Sequence, residues 1–292
     1  MTRDSGSAPI LLDGAIDLHC HFGPEPLVEK LAKRPHSVDP VQAATEAVAG
    51  GMRAIVLKAH EFPSTAIADL TNKAVPDVLS VAGMCCDHPV GGLNPQAVET
   101  ALRAGARVIW LPTLSSASNK PASVQAAFGV AEGIRVLDEG GLVPEVRQIM
   151  DLVAEHGAVL ATGHITVDEH YAVARAFGQR GNLVVTHAMH ASAGPGLSVR
   201  QTVELAELGA VIEFAAHTCM GAPSTFDQVV AALGKLGPER ALVSTDYGWT
   251  DSLPHPAEGL RGYVNALWDA GVEEADLRTM ACATPARLLG LD

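Results

Sequence analysis

Histidines and one aspartate carry the chemistry that this chain can do. His19 and His21 form a His-x-His triplet directly after the apolar run Ala15–Leu18. In an extended strand, residues two apart point to the same side, so two imidazoles from one strand can approach one metal ion. The triplet alone is weak, because a chain with 12 histidines also places such pairs on loops. His164 follows the run Ala158–Ala161, and His187 follows Leu183–Val185. Each ends a predicted strand, and the two strands are consecutive. Neighbouring strands lie about 4.8 Å apart, which brings these imidazoles close together. Asp246 follows the last run, Ala241–Val243. A carboxylate in a buried mouth needs a cation or hydrogen-bond partners.

The elements that must position these residues repeat one pattern: a short apolar run, a loop, then an amphipathic stretch. Between the runs already named lie Ala54–Leu57, Val78–Ala82, Val108–Leu111 and Val211–Phe214, giving eight in all. Consecutive apolar positions mark parallel strands buried on both faces. Helix starts are signalled by Asp39-Pro40, Asn94-Pro95, Pro144, Asp168-Glu169, Ser198, Ser224 and Pro256, and several stretches stop at glycine. Eight strands alternating with helices predict an α/β fold, a (β/α)8 TIM barrel, rather than a doubly wound sheet. His-Cys-His-Phe-Gly-Pro stands where a dinucleotide-binding sheet carries GxGxxG. One domain over residues 1–292 is expected, with a small hairpin inserted at the barrel mouth at about 113–143, and 23–38 as a second lid segment.

The chain has 20 Lys+Arg against 33 Asp+Glu, a net charge of −13. This argues against nucleic acid and anionic membrane as partners, which need basic surface. No apolar stretch reaches the roughly 18 residues of a membrane span, and the opening MTRDSGSAPILLDG shows no secretory signal. Five cysteines without CxxC spacing do not make a disulfide framework and fit a reducing cytoplasm. The expected partner is a small-molecule substrate, and a homo-oligomer is compatible with the sequence.

In this order, His19, His21, His164, His187 and Asp246 resemble the amidohydrolase superfamily: HxH on the first strand, one His each on the fifth and sixth, Asp on the eighth. The segments Thr162-Gly163-His164-Ile165 and Thr186-His187 look like its uncharacterised metal-dependent hydrolases. Many binuclear members carry a Lys or Glu at the end of the fourth strand. Here that strand ends Trp110-Leu111-Pro112-Thr113, and Trp110 reads as core. Lys58 ends the second strand instead, with His60 two residues on. Lys58 is a displaced carbamate ligand, a clamp for an anionic substrate group, or a solvated rim lysine.

The resemblance implies one or two divalent ions, Zn2+ first, with Mn2+ or Fe2+ as alternatives. It implies a metal-activated water that attacks a carbonyl carbon, with Asp246 moving the proton and His187 polarising the carbonyl if it lies in an outer position. Hydrolysis of an amide, lactone or cyclic C–N bond follows. The alternative is a mononuclear metal-dependent decarboxylase, with Lys58 clamping a carboxylate. A polymerase-and-histidinol-phosphatase-type phosphoesterase expects a terminal DxH, where this chain has Asp246-Tyr247-Gly248. Lys58, His60, Glu213, His217 and Tyr247 are candidate substrate-binding residues. Glu213 can equally fix an outer histidine. His190, Trp249 and His255 are further mouth-loop candidates, and Asp17 faces the other way as a support.

Overall fold

The computed structural model describes residues 12–292; the opening residues read for a leader lie outside them. Eight strands form one sheet: β1 (Ile16–His21), β2 (Ala54–Lys58), β3 (Leu79–Cys85), β4 (Ala106–Trp110), β5 (Val159–Ala161), β6 (Asn182–Val185), β7 (Val211–Ala215) and β8 (Ala241–Ser244). They pair parallel in chain order. The seam between β8 and β1 is closed just beyond β8. His21 N donates to Tyr247 O at 2.8 Å, and Asp246 N to His19 O at 2.8 Å. Helices alternate with the strands, so the fold is the (β/α)8 barrel that the eight runs predict.

The strands are apolar on consecutive positions because both faces are covered. Ile16, Leu18, Val56, Val108 and Trp110 fill the barrel interior, whose floor is closed by Leu288 and Leu289 of the C-terminal helix Thr284–Leu289. Cys20, Ile55, Leu57 and Ile109 belong to the outer layer beneath the helices. β1 crosses between these layers in a way that strict alternation does not foresee. Asp17 pairs with Ile55 and Cys20 with Leu57, so β1 spends three steps where β2 spends two. This β-bulge lets His19 turn inward directly after the inward Leu18. Asp17 stays on the outer side, as the sequence suggested. Its Oδ1 accepts from His19 N at 3.2 Å and Thr245 N at 3.1 Å, and its Oδ2 from Thr245 Oγ1 at 2.5 Å. It straps the bulge to the end of β8. Burial raises its carboxyl to about 7 against these hydrogen bonds.

Asp39 and Asn94 cap the helices Pro40–Ala49 and Pro95–Arg103 as their spacing predicts. The helix expected to open at Asp168-Glu169 starts earlier, at Val167, because Thr166 and Glu169 form a capping box. The helix expected to open at Ser224 starts at Pro223. Helix Thr65–Ala74 was not foreseen. Ser64 precedes it but does not cap it: its hydroxyl donates to Leu57 O at 2.6 Å and accepts from Gly83 N at 2.9 Å, tying β2 to β3. The interval expected to hold only a hairpin contains a helix, Pro121–Phe128, besides the short antiparallel pair Leu137–Asp138 and Gly141–Leu142. Among the described residues no helix is long and apolar enough to cross a membrane. The five cysteines are free thiols, four of them buried.

His170, buried in the helix Val167–Phe177, sets one pH dependence of stability. Its Nδ1 donates to Thr166 O at 2.8 Å, while its Nε2 is buried without a hydrogen-bond partner. Burial pushes it down to about 4, against the Thr166 bond and the Glu169 charge. An unfolded histidine titrates near 6.5, so between these values the unfolded chain binds more protons. The stabilisation is complete above about 6.5 and is lost as pH falls toward 4. From pH 7.5 to 5 the wild type should lose about 2 kcal/mol more than His170→Gln. Urea unfolding at the two pH values measures this; equal losses would refute it.

Candidate metal centre

At the mouth, the ends of β1, β6 and β8 and the loop after β5 bring together the predicted residues. Asp246 Oδ1 lies 2.9 Å from His19 Nε2 and 3.1 Å from His21 Nε2. These three residues offer donor atoms within 4.8 Å of one another. The His187 ring stacks 5.7 Å from His19, and the His164 ring lies 4.9 Å from His187. His164 Nδ1 and His187 Nδ1 are buried with no hydrogen-bond partner. His187 and Asp246 adopt φ of 24° and 55°. Non-glycine residues there cost about 1–3 kcal/mol each and persist where surroundings enforce them.

Glu213 organises this cluster from below. Its Oε1 lies 3.0 Å from His19 Nδ1 and accepts from Ser244 Oγ at 2.7 Å; its Oε2 accepts from His187 N at 2.7 Å. Both oxygens are thus used within the protein, and Glu213 does not line the cavity described below. Its contacts are with two histidines and a serine. Holding the proton on Nδ1 leaves the Nε2 lone pair of His19 for a cation. His19 Nε2 also lies 2.9 Å from Lys58 Nζ. One nitrogen cannot accept from Lys58 and donate to Asp246 at once, so the two contacts belong to the neutral and protonated rings. Burial and Lys58 push His19 down, but Asp246 and Glu213 outweigh them and raise it to about 9. His21, with Lys58 near and burial dominant, falls to about 4. Glu213 is held down at about 2, burial being outweighed chiefly by His19. Glu213→Gln should weaken zinc affinity about 10–100-fold. Competition with a chromophoric chelator measures this, and unchanged affinity would remove Glu213 from the centre.

A cavity of about 230 Å3 opens above Asp246 and His21, with Lys58, His60, His164, His190, His217 and Trp249 in its walls. Lys58 is only 1% exposed, which rules out the solvated rim lysine. Its Nζ sits 5.6 Å over the Trp110 ring, and Trp110 is interior core as expected. Gly83 makes room for that indole: a Cβ there would meet Trp110 at 2.4 Å. His60 Nδ1 lies 2.7 Å from Thr113 Oγ1 and 3.3 Å from Asp87 Oδ2, and its ring stacks 5.0 Å from His21. Burial and then His217 act to lower His190, opposed by Asp246. Tyr247 and His255 do not line this cavity. Tyr247 belongs to the β8–β1 seam, and His255 Nδ1 pairs with Glu46 at 2.9 Å.

Residues 14–213 match a family of unknown function, DUF6282. The chain belongs to the DUF6282 family. No curated protein matches it. The DUF6282 barrel is similar in structure to the dipeptidase AC, a metallopeptidase (TM-score 0.65, 15% identity, 95% of this chain and 98% of that one). It is similar to a 2,6-dihydroxybenzoate decarboxylase (TM-score 0.61, 13% identity, 96% and 100%). It is also similar to an amidohydrolase from Pseudomonas aeruginosa (TM-score 0.61, 11% identity, 95% and 95%). At these identities the likeness is one of fold, a (β/α)8 barrel.

The resemblance carried by His19, His21, His164, His187 and Asp246 implies a divalent cation, and the residues here fit one. Imidazole nitrogens and a carboxylate oxygen converge in a buried pocket, a carboxylate holds the far nitrogen of His19, and two further imidazoles carry unpartnered nitrogens. Sequence reasoning missed two supports. Asp87 Oδ1 accepts from Thr113 N and Ser115 N, both at 2.9 Å, while its Oδ2 faces His60. Glu25, buried, binds the backbone of His60 and Glu61. Asp87 lies two residues beyond β3, and its place after a strand was the available signal; Glu25 had none.

Proposed function

We propose that this protein is a metal-dependent hydrolase that cleaves an amide, lactone or cyclic C–N bond in a small molecule. The observation that carries the reading is the convergence of His19, His21 and Asp246 beneath an open cavity that His21 and Asp246 line. His19, His21 and Asp246 would hold the cation, with His164 and His187 beside them. A bound divalent ion supplies Lewis acidity and lowers the pKa of water toward about 7. Asp246 lies at the cavity floor, where its carboxylate takes the proton of the attacking water and returns it to the leaving group. Thr113 and Asp87 fix Nδ1 of His60, so its other nitrogen is free for the substrate. Lys58 supplies a buried cation for a substrate carboxylate.

That same lysine supports a second reading, decarboxylation of an aromatic acid, which one structural neighbour performs by name. Zinc- or manganese-loaded protein should be offered dipeptides, lactones, cyclic amides and hydroxybenzoates, with release of carbon dioxide and uptake of 18O from water followed. Hydrolysis predicts 18O in the product and no carbon dioxide; the reverse establishes the decarboxylase. Turnover in neither class by fully loaded protein overturns both. Lys58→Met should raise KM for carboxylate-bearing substrates about 10–100-fold at unchanged metal content. Loss of one metal equivalent would instead make Lys58 a metal ligand.

A further inference from the structure

His190, His217 and Asp246 also offer donor atoms within 4.8 Å of one another, which at first sight makes a second metal position. The hydrogen bonds of His190 say otherwise. Its Nδ1 faces the backbone N–H of Ala193 at 3.0 Å and of Ser192 at 3.3 Å, with Ser192 Oγ at 3.2 Å. Backbone amides only donate, so Nδ1 carries no proton. An imidazole that binds a cation through Nε2 keeps a proton on Nδ1 and donates it outward. His190 is wired the opposite way, and its single ring proton is on Nε2. Nε2 has no hydrogen-bond partner among the described residues, and the ring lines the cavity over Asp246.

We propose that His190 is a catalytic residue, a neutral Nε2–H donor that polarises the substrate carbonyl and stabilises the oxyanion formed when water adds to it. This deepens the hydrolase reading above and rests on it for the carbonyl. The bond balance is simple: the carbonyl π pair moves onto oxygen as the water oxygen bonds to carbon, and His190 donates a hydrogen bond without giving up its proton. The loop 190–193 acts as the clamp that fixes the ring's tautomer.

The test uses full-length protein labelled with 15N-histidine, metal-free and zinc-loaded, with His190→Gln assigning the resonances. Long-range 1H–15N spectra should show the proton on Nε2 and an accepting Nδ1, unchanged by zinc. Zinc content of His190→Ala should equal that of the wild type. Methylphosphonate, a tetrahedral anion probe, should bind about tenfold more weakly to His190→Ala. On the best substrate of the panel, kcat should fall about a hundredfold with little change in KM, and His190→Gln should recover part of it. A proton on Nδ1, or loss of one zinc equivalent in His190→Ala, overturns the proposal in favour of a second metal position. If the wild type hydrolyses nothing, the hydrolase reading fails by itself, and the tautomer, zinc and methylphosphonate results still decide the role of His190.

Discussion

Asp246→Asn is expected to strip the centre of tightly bound metal and to lower turnover about a thousandfold or more. Asparagine keeps the shape of the side chain but not its charge. Asp246 Oδ1 sits between His19 Nε2 and His21 Nε2, and the surrounding histidines hold its carboxyl well below the usual range although burial opposes this. The carboxylate is thus the anion on which both imidazoles converge, and it also balances the buried Lys58 cation nearby. Removing it leaves that cation less compensated, a costly state inside a protein. Elemental mass spectrometry on variant and wild type, with the rate on the best substrate, reads both consequences. Retention of full metal and full turnover would defeat the assignment of the floor.

Gly248→Ala is expected to cost about 3 kcal/mol or more and to inactivate through geometry. Gly248 has φ +108°, and a Cβ there would lie 2.0 Å from the carbonyl oxygen of His21. Backbone cannot swing aside as a flexible side chain can, so β1 and the loop after β8 must part where His21 N bonds Tyr247 O. Gly105→Ala is the control. Its φ is +102°, but nothing lies within 4 Å of the added carbon. It should lose only the conformational part, about 1–2 kcal/mol, and retain activity. Urea unfolding with activity assays separates the two; equal costs would show that the seam contact is unimportant.

What the sequence disclosed follows from how far each residue's placement depends on neighbours in the chain. The strands were legible because burial on both faces writes itself as consecutive apolar residues. His164 and His187 were legible because strands consecutive in sequence are adjacent in the sheet. Glu213 was visible as a charge within an apolar strand, but its two possible jobs could not be told apart until both oxygens were placed. The helix after β2 was hidden because Ser64 uses its hydroxyl on strands and leaves the helix start unmarked. Asp87, Glu25 and the orientation of His190 were hidden because loop backbones place their partners, and no periodicity governs a loop.

The bulge in β1 carries a consequence for how this strand tolerates change in length. With Leu18 and His19 both inward opposite one residue of β2, the strand holds one residue more than plain alternation needs. Loss of the Leu18 codon would restore simple alternation, with Asp17 outward and His19 and His21 still inward. Loss of Cys20 would separate the two histidines onto opposite faces. An ungapped alignment of this barrel with one lacking the bulge would match the inward Ile16 and Leu18 to the other's outward positions, while the histidines stayed in register.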